Sequence, residues 1–393
     1  MEHLTEWLIT HYGQEQMSPG LERISKALND IIPSFRGTKI VIVAGTNGKG
    51  ETILRLSELL SKESHFVWTS PHILRLSERF RSEKGEISSE ELSRLIFSCH
   101  EKALSSGWRL SYYEFLFYVF CTWASQSSPK YLLLEVGLGG RLDAVNAFDA
   151  DIVLLPSISR DHQEYLGHRF EQILKEKLGT LRGKTYLIHF LETKYLEEKA
   201  NEIASKVGAH VRALGAEVAV PGYEFSHRNQ LLASAAYCQL VGTPFHYHDW
   251  KKWLPSLENR GEVKKGLNEW IFFGSHNVDG LRKLIQFLRC GTYTFKGPPF
   301  DLVIVAFSRR DGQDIRIMLR MLARSKIGRV VVTTFDHPKA MNKAEIKALA
   351  HEEGTDFVQN IEDYFQGKNY GQRLLVTGSY YFLGHVKSLP CCR

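Results

Sequence analysis

Cysteine is sparse in this chain, and its spacing is uninformative. The 393 residues hold six cysteines (Cys99, Cys121, Cys238, Cys290, Cys391 and Cys392), none of them in a C-x-x-C arrangement. That gives no framework for a small disulfide fold and no C-x-x-C metal or redox motif, leaving metal capture open only at the adjacent Cys391-Cys392, and it fits reduced thiols in a cytoplasm. Long hydrophobic runs are also missing. The longest, Phe115 to Ala124, is about half the roughly 20 residues of a membrane span and reads as a buried helix. Met1-Glu2-His3-Leu4 places acid where a signal peptide carries positive charge. The net charge of +6 is mild, and Lys and Arg form no block, so no nucleic-acid footprint is indicated. A modest cation surplus is compatible with an anionic substrate such as ATP or a polyglutamate. There is no internal repeat and no low-complexity segment.

What is present is an ordinary globular composition, 43% hydrophobic and 24% charged. The length exceeds the roughly 250–300 residues that one core sustains, so two domains are expected. Short β-branched runs, namely 39–44, 66–69, 131–136, 152–156, 185–189, 270–273, 302–306, 329–333 and 373–376, alternate with amphipathic stretches such as 52–61, 90–105, 171–181, 229–240, 278–288, 315–324 and 343–351. This order predicts an α/β fold with mostly parallel sheets covered on both faces. Pro, Asn, Gly and charged residues interrupt it between Pro255 and Gly266, which suggests domains at 1–258 and 259–393.

The strand Lys39–Ala44 runs into Gly45-Thr46-Asn47-Gly48-Lys49-Gly50, and a helix is expected from Thr52. Glycines let backbone N–H groups curl toward phosphate oxygens, the helix N-terminus adds its dipole, and Lys49 can reach the β/γ-phosphates. The strict G-x-x-x-x-G-K-[ST] pattern fails, because Val43 holds the first glycine position. Gly137-Leu138-Gly139 is a weak dinucleotide fingerprint, since Leu142 stands where the third glycine belongs. Glu135 ends a hydrophobic strand, a suitable place for a carboxylate that holds Mg²⁺ near phosphates.

The segment Ala44–Gly50 resembles the nucleotide loop of the folylpolyglutamate synthase/dihydrofolate synthase family of the Mur ligase superfamily. Further matches follow in the family's order: Gly20–Ile24, Ser70-Pro71-His72 with Glu78-Arg79, Ser111–Glu114, Leu134–Asn146, Asp161-His162 with Leu166-Gly167, Glu176–Gly179, and Gly378–Tyr381. The resemblance implies a P-loop-containing Mur-ligase-like N-terminal domain and a smaller Rossmann-like C-terminal domain. It also implies ATP-dependent ligation of L-glutamate to a pteroate or folate carboxylate through an acyl phosphate, by a cytoplasmic monomer that binds neither nucleic acid nor membrane.

By the same resemblance, Gly45, Thr46, Asn47, Gly48, Lys49, Gly50, Thr52, Asn229 and Arg260 bind ATP, the last as the family's interdomain arginine. Two Mg²⁺ ions are expected on Glu51, Glu135, His162 and Lys177, with Lys177 carbamylated so that a cationic amine becomes an anionic oxygen donor. Lys49, Arg260 and His276 take the catalytic roles. Ser70, Pro71, His72, Tyr112, Tyr113 and Glu114 line the pteroate pocket, where aromatics beside a carboxylate suit a flat heterocycle with N–H donors. Ser379 lies near the incoming glutamate.

This chain departs from the family pattern at three places. Glu51 replaces the serine whose hydroxyl binds magnesium, so either Glu51 remakes the metal site or ATP binding weakens. Phe273 replaces the Asp of the D-G-A-H-N-P element, which reads Phe273-Gly274-Ser275-His276-Asn277-Val278. Gly312-Gln313-Asp314 keeps only the last residue of D-K-D. A related ligase with another acid acceptor, a degenerate paralogue that binds folate or nucleotide without turnover, and a generic P-loop kinase are the alternatives.

Overall fold

The central strands carry apolar side chains at nearly every position, and the two-residue period of a strand sends them alternately to opposite faces. In β1 (Lys39–Val43), Ile40 and Ile42 join one hydrophobic cluster while Val41 and Val43 join another. The computed structural model describes residues 2–14, 18–221, 224–250, 257–290, 300–365 and 371–392. Within these, the chain forms two compact units, Met1–Val220 with Ser226–Trp253, and Pro221–Phe225 with Leu254–Arg393. The expected interruption at Pro255–Gly266 begins at Pro255 and Ser256, which lie outside the described residues.

The first unit contains β1, β2 (His65–Trp68), β3 (Phe80–Ser82), β4 (Gly85–Glu86), β5 (Tyr131–Glu135), β6 (Ile152–Leu155), β7 (Tyr186–His189) and β8 (His210–Ala213). Their order is β4-β3-β2-β5-β1-β6-β7-β8, parallel from β2 to β8, with β3 and β4 antiparallel at one edge. In β5 and β6 the same alternation recurs, Leu132, Leu134, Val153 and Leu155 on one face and Tyr131, Leu133, Ile152 and Leu154 on the other. A sheet buried on both faces needs helices on both, and crossovers of the parallel strands supply them.

The second unit contains β9 (Arg260–Lys265), β10 (Glu269–Phe273), β11 (Leu302–Val305), β12 (Arg329–Val332), β13 (Asp356–Phe357) and β14 (Arg373–Thr377), in the order β13-β12-β11-β14-β10-β9 with only β9 antiparallel. All nine strands expected from the sequence are present, and the fold class is the α/β architecture expected. No helix among the described residues is long and apolar enough to cross a membrane.

Candidate functional site

Register places the loops. β1 and β5 pair so that Val43 faces Glu135. The segments after β1, β5 and β6 therefore leave the same carboxyl edge of the sheet side by side. The loop after β1 is stitched to the segment after β6. Thr46 N donates to Ser157 O (3.0 Å), Asn47 N to Ser157 Oγ (2.9 Å), and Ser159 N to Thr46 Oγ1 (3.0 Å), while Thr46 Oγ1 donates to Ser159 O (3.1 Å). Ser157 and Ser159 had no motif to mark them, beyond being small residues after a strand. Gly45 packs where a Cβ would lie 3.1 Å from the Pro156 ring.

The helix begins at Lys49, three residues before the expected start at Thr52, and runs to Leu59. Gly48 is its left-handed N-cap (φ +88°), a conformation that disfavours side chains. A loop-to-helix turn of this kind presents N–H groups and the positive end of the helix dipole to an anion. Lys49 Nζ donates to Thr46 O at 3.2 Å, so the ammonium stays on the loop. Gly50 and Thr52 are buried in the first turn.

Asn229, buried in the helix Phe225–Val241, lies against this loop. Its Nδ2 donates to Glu51 Oε2 at 2.8 Å. Glu51 is itself buried, and its Oε1 lies 4.0 Å from the buried Arg55, one helical turn on.

Lys177, in the helix Phe170–Leu178, is 3% exposed and donates from Nζ to Gly45 O at 3.0 Å. Burial, then repulsion from Lys49, lowers its pKa to about 7, against opposing pulls from Asp161 and Asp143. Lys49, Lys177 and Asp161 thus share the surroundings of the loop 45–49. Glu135 is buried at the end of β5 and accepts Ser70 N at Oε2 (3.1 Å). His162 has a left-handed backbone (φ +50°), donates from its amide to Asp161 Oδ1 (3.1 Å), and keeps its half-exposed ring 3.7 Å from Glu164.

Among the described residues, no three unmodified His, Cys, Asp or Glu side chains are grouped to hold a metal ion. An ammonium cannot ligate a cation, but a buried amine with a pKa near 7 is partly neutral at physiological pH and able to add CO₂. A carbamate on Lys177, with Glu135 and His162, would then be an oxygen-rich donor set of the type hard divalent cations prefer.

The glycine-rich loop after β5 is held from within. Asp143 Oδ2 accepts Gly137 N (2.9 Å) and Leu138 N (3.0 Å), and Oδ1 accepts Val145 N (3.1 Å) and the Tyr113 hydroxyl (3.2 Å). Burial raises Asp143 to a pKa of about 6 despite those bonds. Gly140 lies where a Cβ would come within 2.7 Å of Lys177 O, so the absence of a side chain there lets the Lys177 helix close on the loop.

The six residues expected around a pteroate fall into two groups. Ser70, Pro71 and His72 follow β2 at the same carboxyl edge, with His72 Nδ1 accepting the Nε of the buried Arg79 at 2.9 Å. Tyr112 and Glu114 are buried in the helix Tyr112–Ser125, with Tyr113 partly buried between them. Tyr113 OH accepts from Trp68 Nε1 and Gly137 N (both 3.2 Å). Glu114 Oε2 accepts Ser111 N (2.8 Å) as half of a capping box and pairs with Arg23 Nε (3.1 Å). These bonds tie Tyr113 and Glu114 to the neighbouring strand, loop and helix.

In the second unit, Arg260 opens β9, with Nη1 donating to Glu258 O (3.1 Å). The His276 ring lies 5.3 Å from that of Tyr380, and its Nδ1 is 3.0 Å from Gly274 O. Asn277 Oδ1 accepts Gly280 N (2.8 Å), opening the helix Val278–Cys290. Ser379 Oγ and Ser308 Oγ share a hydrogen bond of 2.8 Å. Phe273 is buried in the unit's hydrophobic cluster.

No protein-family profile matches the chain. A dihydrofolate synthase/folylpolyglutamate synthase of Escherichia coli is 32% identical over 218 residues, 54% of this chain and 51% of that protein, so the match spans about half of that relative. One from Bacillus subtilis is 24% identical across 94% of this chain and 95% of its own length. A crystal structure of bifunctional folylpolyglutamate synthase/dihydrofolate synthase with Mn, AMPPNP and L-glutamate bound superposes with a TM-score of 0.79 at 24% identity, covering 98% of this chain and 97% of that one. An Escherichia coli FolC in complex with DHPP and ADP gives 0.79 at 21% identity, covering 98% and 96%.

Proposed function

We propose that this chain is a member of the dihydrofolate synthase/folylpolyglutamate synthase family, to whose proteins it is similar, and that it ligates L-glutamate to a pteroate or folate carboxylate at the expense of ATP. The reading rests chiefly on one observation. The loop 45–49 is fixed by Ser157 and Ser159 at a helix N-terminus, with Lys49 and Lys177 on it and Glu135 paired in register beside it.

The substrate carboxylate attacks the γ-phosphorus of ATP, ADP departs, and an acyl phosphate results. The glutamate amine then attacks the acyl carbon, and phosphate leaves with the C–O bond's electrons. Loop amides and Lys49 bind and orient the triphosphate, which is most of what such a transfer asks of a protein. Glu135, His162 and a carbamylated Lys177 are the residues that would hold divalent cations. Such ions neutralise charge on the transferring phosphoryl group. We assign residues 1–258 to ATP and the pterin-bearing acid. Residues 259–393 are assigned to glutamate addition, with Ser379 near the amino acid and Arg260 and His276 acting on phosphate. A cytoplasmic monomer is part of the proposal.

A second reading, binding without turnover, is favoured by Glu51 and Phe273, whose side chains are engaged in Asn229 and core contacts respectively. Incubation with ATP, Mg²⁺, glutamate and dihydropteroate separates the two. Ligation gives a product heavier by one glutamyl residue and ADP release that depends on glutamate. Binding of dihydropteroate with no ADP release would establish the second reading.

A further inference from the structure

In the first turn of the phosphate-loop helix, Glu51 does not face an open cradle. One carboxylate oxygen accepts the Asn229 amide at 2.8 Å, and the other is buried without a hydrogen bond, 4.0 Å from Arg55 Nη2. Residues four apart share a helix face, which is why Arg55 reaches Glu51. Arg55 is also held by Glu58 at 3.1 Å, so the arginine keeps a carboxylate partner even without Glu51. Asn229 in turn presses on Gly48, where a Cβ would meet its Oδ1 at 2.6 Å. The Glu51 bond fixes which way the amide faces, with Nδ2 to the carboxylate and Oδ1 over the glycine.

We infer that Glu51 is a positioning residue that locks the Asn229 amide against the phosphate loop, and that it is not a ligand for the cation accompanying the nucleotide. The inference rests on the nucleotide reading above. A side chain at position 51 short enough to stay beside the phosphates would add a metal donor. The longer carboxylate is directed instead to Asn229, and Arg55, shared with Glu58, offsets part of its charge.

The test is calorimetric titration of ADP into the full-length protein, in Mg²⁺ and separately in EDTA, for wild type, E51Q, E51A, N229A and E51A/N229A. Gln keeps an acceptor oxygen for the Asn229 amide; Ala does not. Expected is a loss of about tenfold in affinity for E51A and for N229A, equal in Mg²⁺ and EDTA. The double variant should be no weaker than either single one, because both break one contact. E51Q should bind more tightly than E51A, with the wild-type ratio of Mg²⁺ to EDTA affinities. A collapse of that ratio in E51Q, with EDTA affinity preserved, would make Glu51 a metal ligand and overturn the inference alone. A folded wild type that binds ADP in neither buffer removes the nucleotide reading itself, which is a separate result. Thermal unfolding of each variant establishes that it is folded. If E51A is not, E51Q and N229A still decide between the two outcomes.

Discussion

The Asn229 side chain sits directly over Gly48, close enough that any Cβ on residue 48 would fall 2.6 Å from its carboxamide oxygen. The glycine is doubly required, since its φ of +88° also lies where side chains are strained. G48A should destabilise the protein by about 1–3 kcal/mol. It should also weaken ADP binding, as read by thermal unfolding and calorimetry. Unchanged values for both would mean that Asn229 yields freely and is no part of the loop's support.

Asp143 and Tyr113 give a test that separates scaffold from pocket. D143A strips the acceptor from the amides of Gly137, Leu138 and Val145, and urea unfolding should show a loss on the order of 3 kcal/mol or more. Y113F removes the hydroxyl bonded to Asp143, Trp68 and Gly137, and should cost about 1–2 kcal/mol. A Y113F protein of wild-type stability that no longer binds dihydropteroate would instead put Tyr113 in contact with substrate.

His189 closes β7 fully buried, and neither of its ring nitrogens has a hydrogen-bond partner. Burial lowers its pKa from 6.5 to about 4. The folded state therefore binds fewer protons than the unfolded one between those values. The stability this neutral histidine allows is complete above pH 6.5 and is lost as pH falls toward 4, a total on the order of 3 kcal/mol. Asp143 acts oppositely: its raised pKa of about 6 makes its burial less costly as pH falls from 6 toward 3.8. The contribution of His189 is thus the difference between wild type and H189L in urea midpoints from pH 7 to 4. Parallel curves would show that the imidazole gains a partner on protonation.

Lys177 should carry a carbamate in bicarbonate buffer. Its amine, lowered to about 7 by burial and Lys49, attacks CO₂ as the neutral base and releases a proton. A ¹³C-labelled bicarbonate experiment should give a carbamate resonance that K177R lacks, and ligation by K177R should fall at least about a hundredfold. Full ligation activity in K177R would remove the modified lysine from the site.

The legible parts of this chain are those in which local pattern and tertiary role agree. The β-branched runs that became central strands are buried on both faces, so every residue reports its environment. β9 was not legible, since Arg-Gly-Glu-Val-Lys-Lys has one apolar residue and sits at a sheet edge where polar side chains meet water. The hairpin β3–β4 and edge strand β8 escaped for the same reason. Helix Lys194–Val207 was missed because three alanine and leucine positions suffice for its buried stripe. Lys49 and Glu135 were found through strand-end and glycine context, and Lys177 only through the family resemblance. The partnership of Glu51 with Asn229 was not, because those residues are 178 positions apart. Likewise Glu114 pairs with an arginine 91 residues away, and nothing local announces that its carboxylate is already engaged.

Glu78 accepts the consecutive amides of Ile73 (2.7 Å), Leu74 (2.9 Å) and Arg75 (2.9 Å). That turn is a backbone nest of the kind that captures anions, and here the protein's own carboxylate is its permanent guest. With all three amides already taken by Glu78, this concavity is closed to any other anion at the sheet's carboxyl edge.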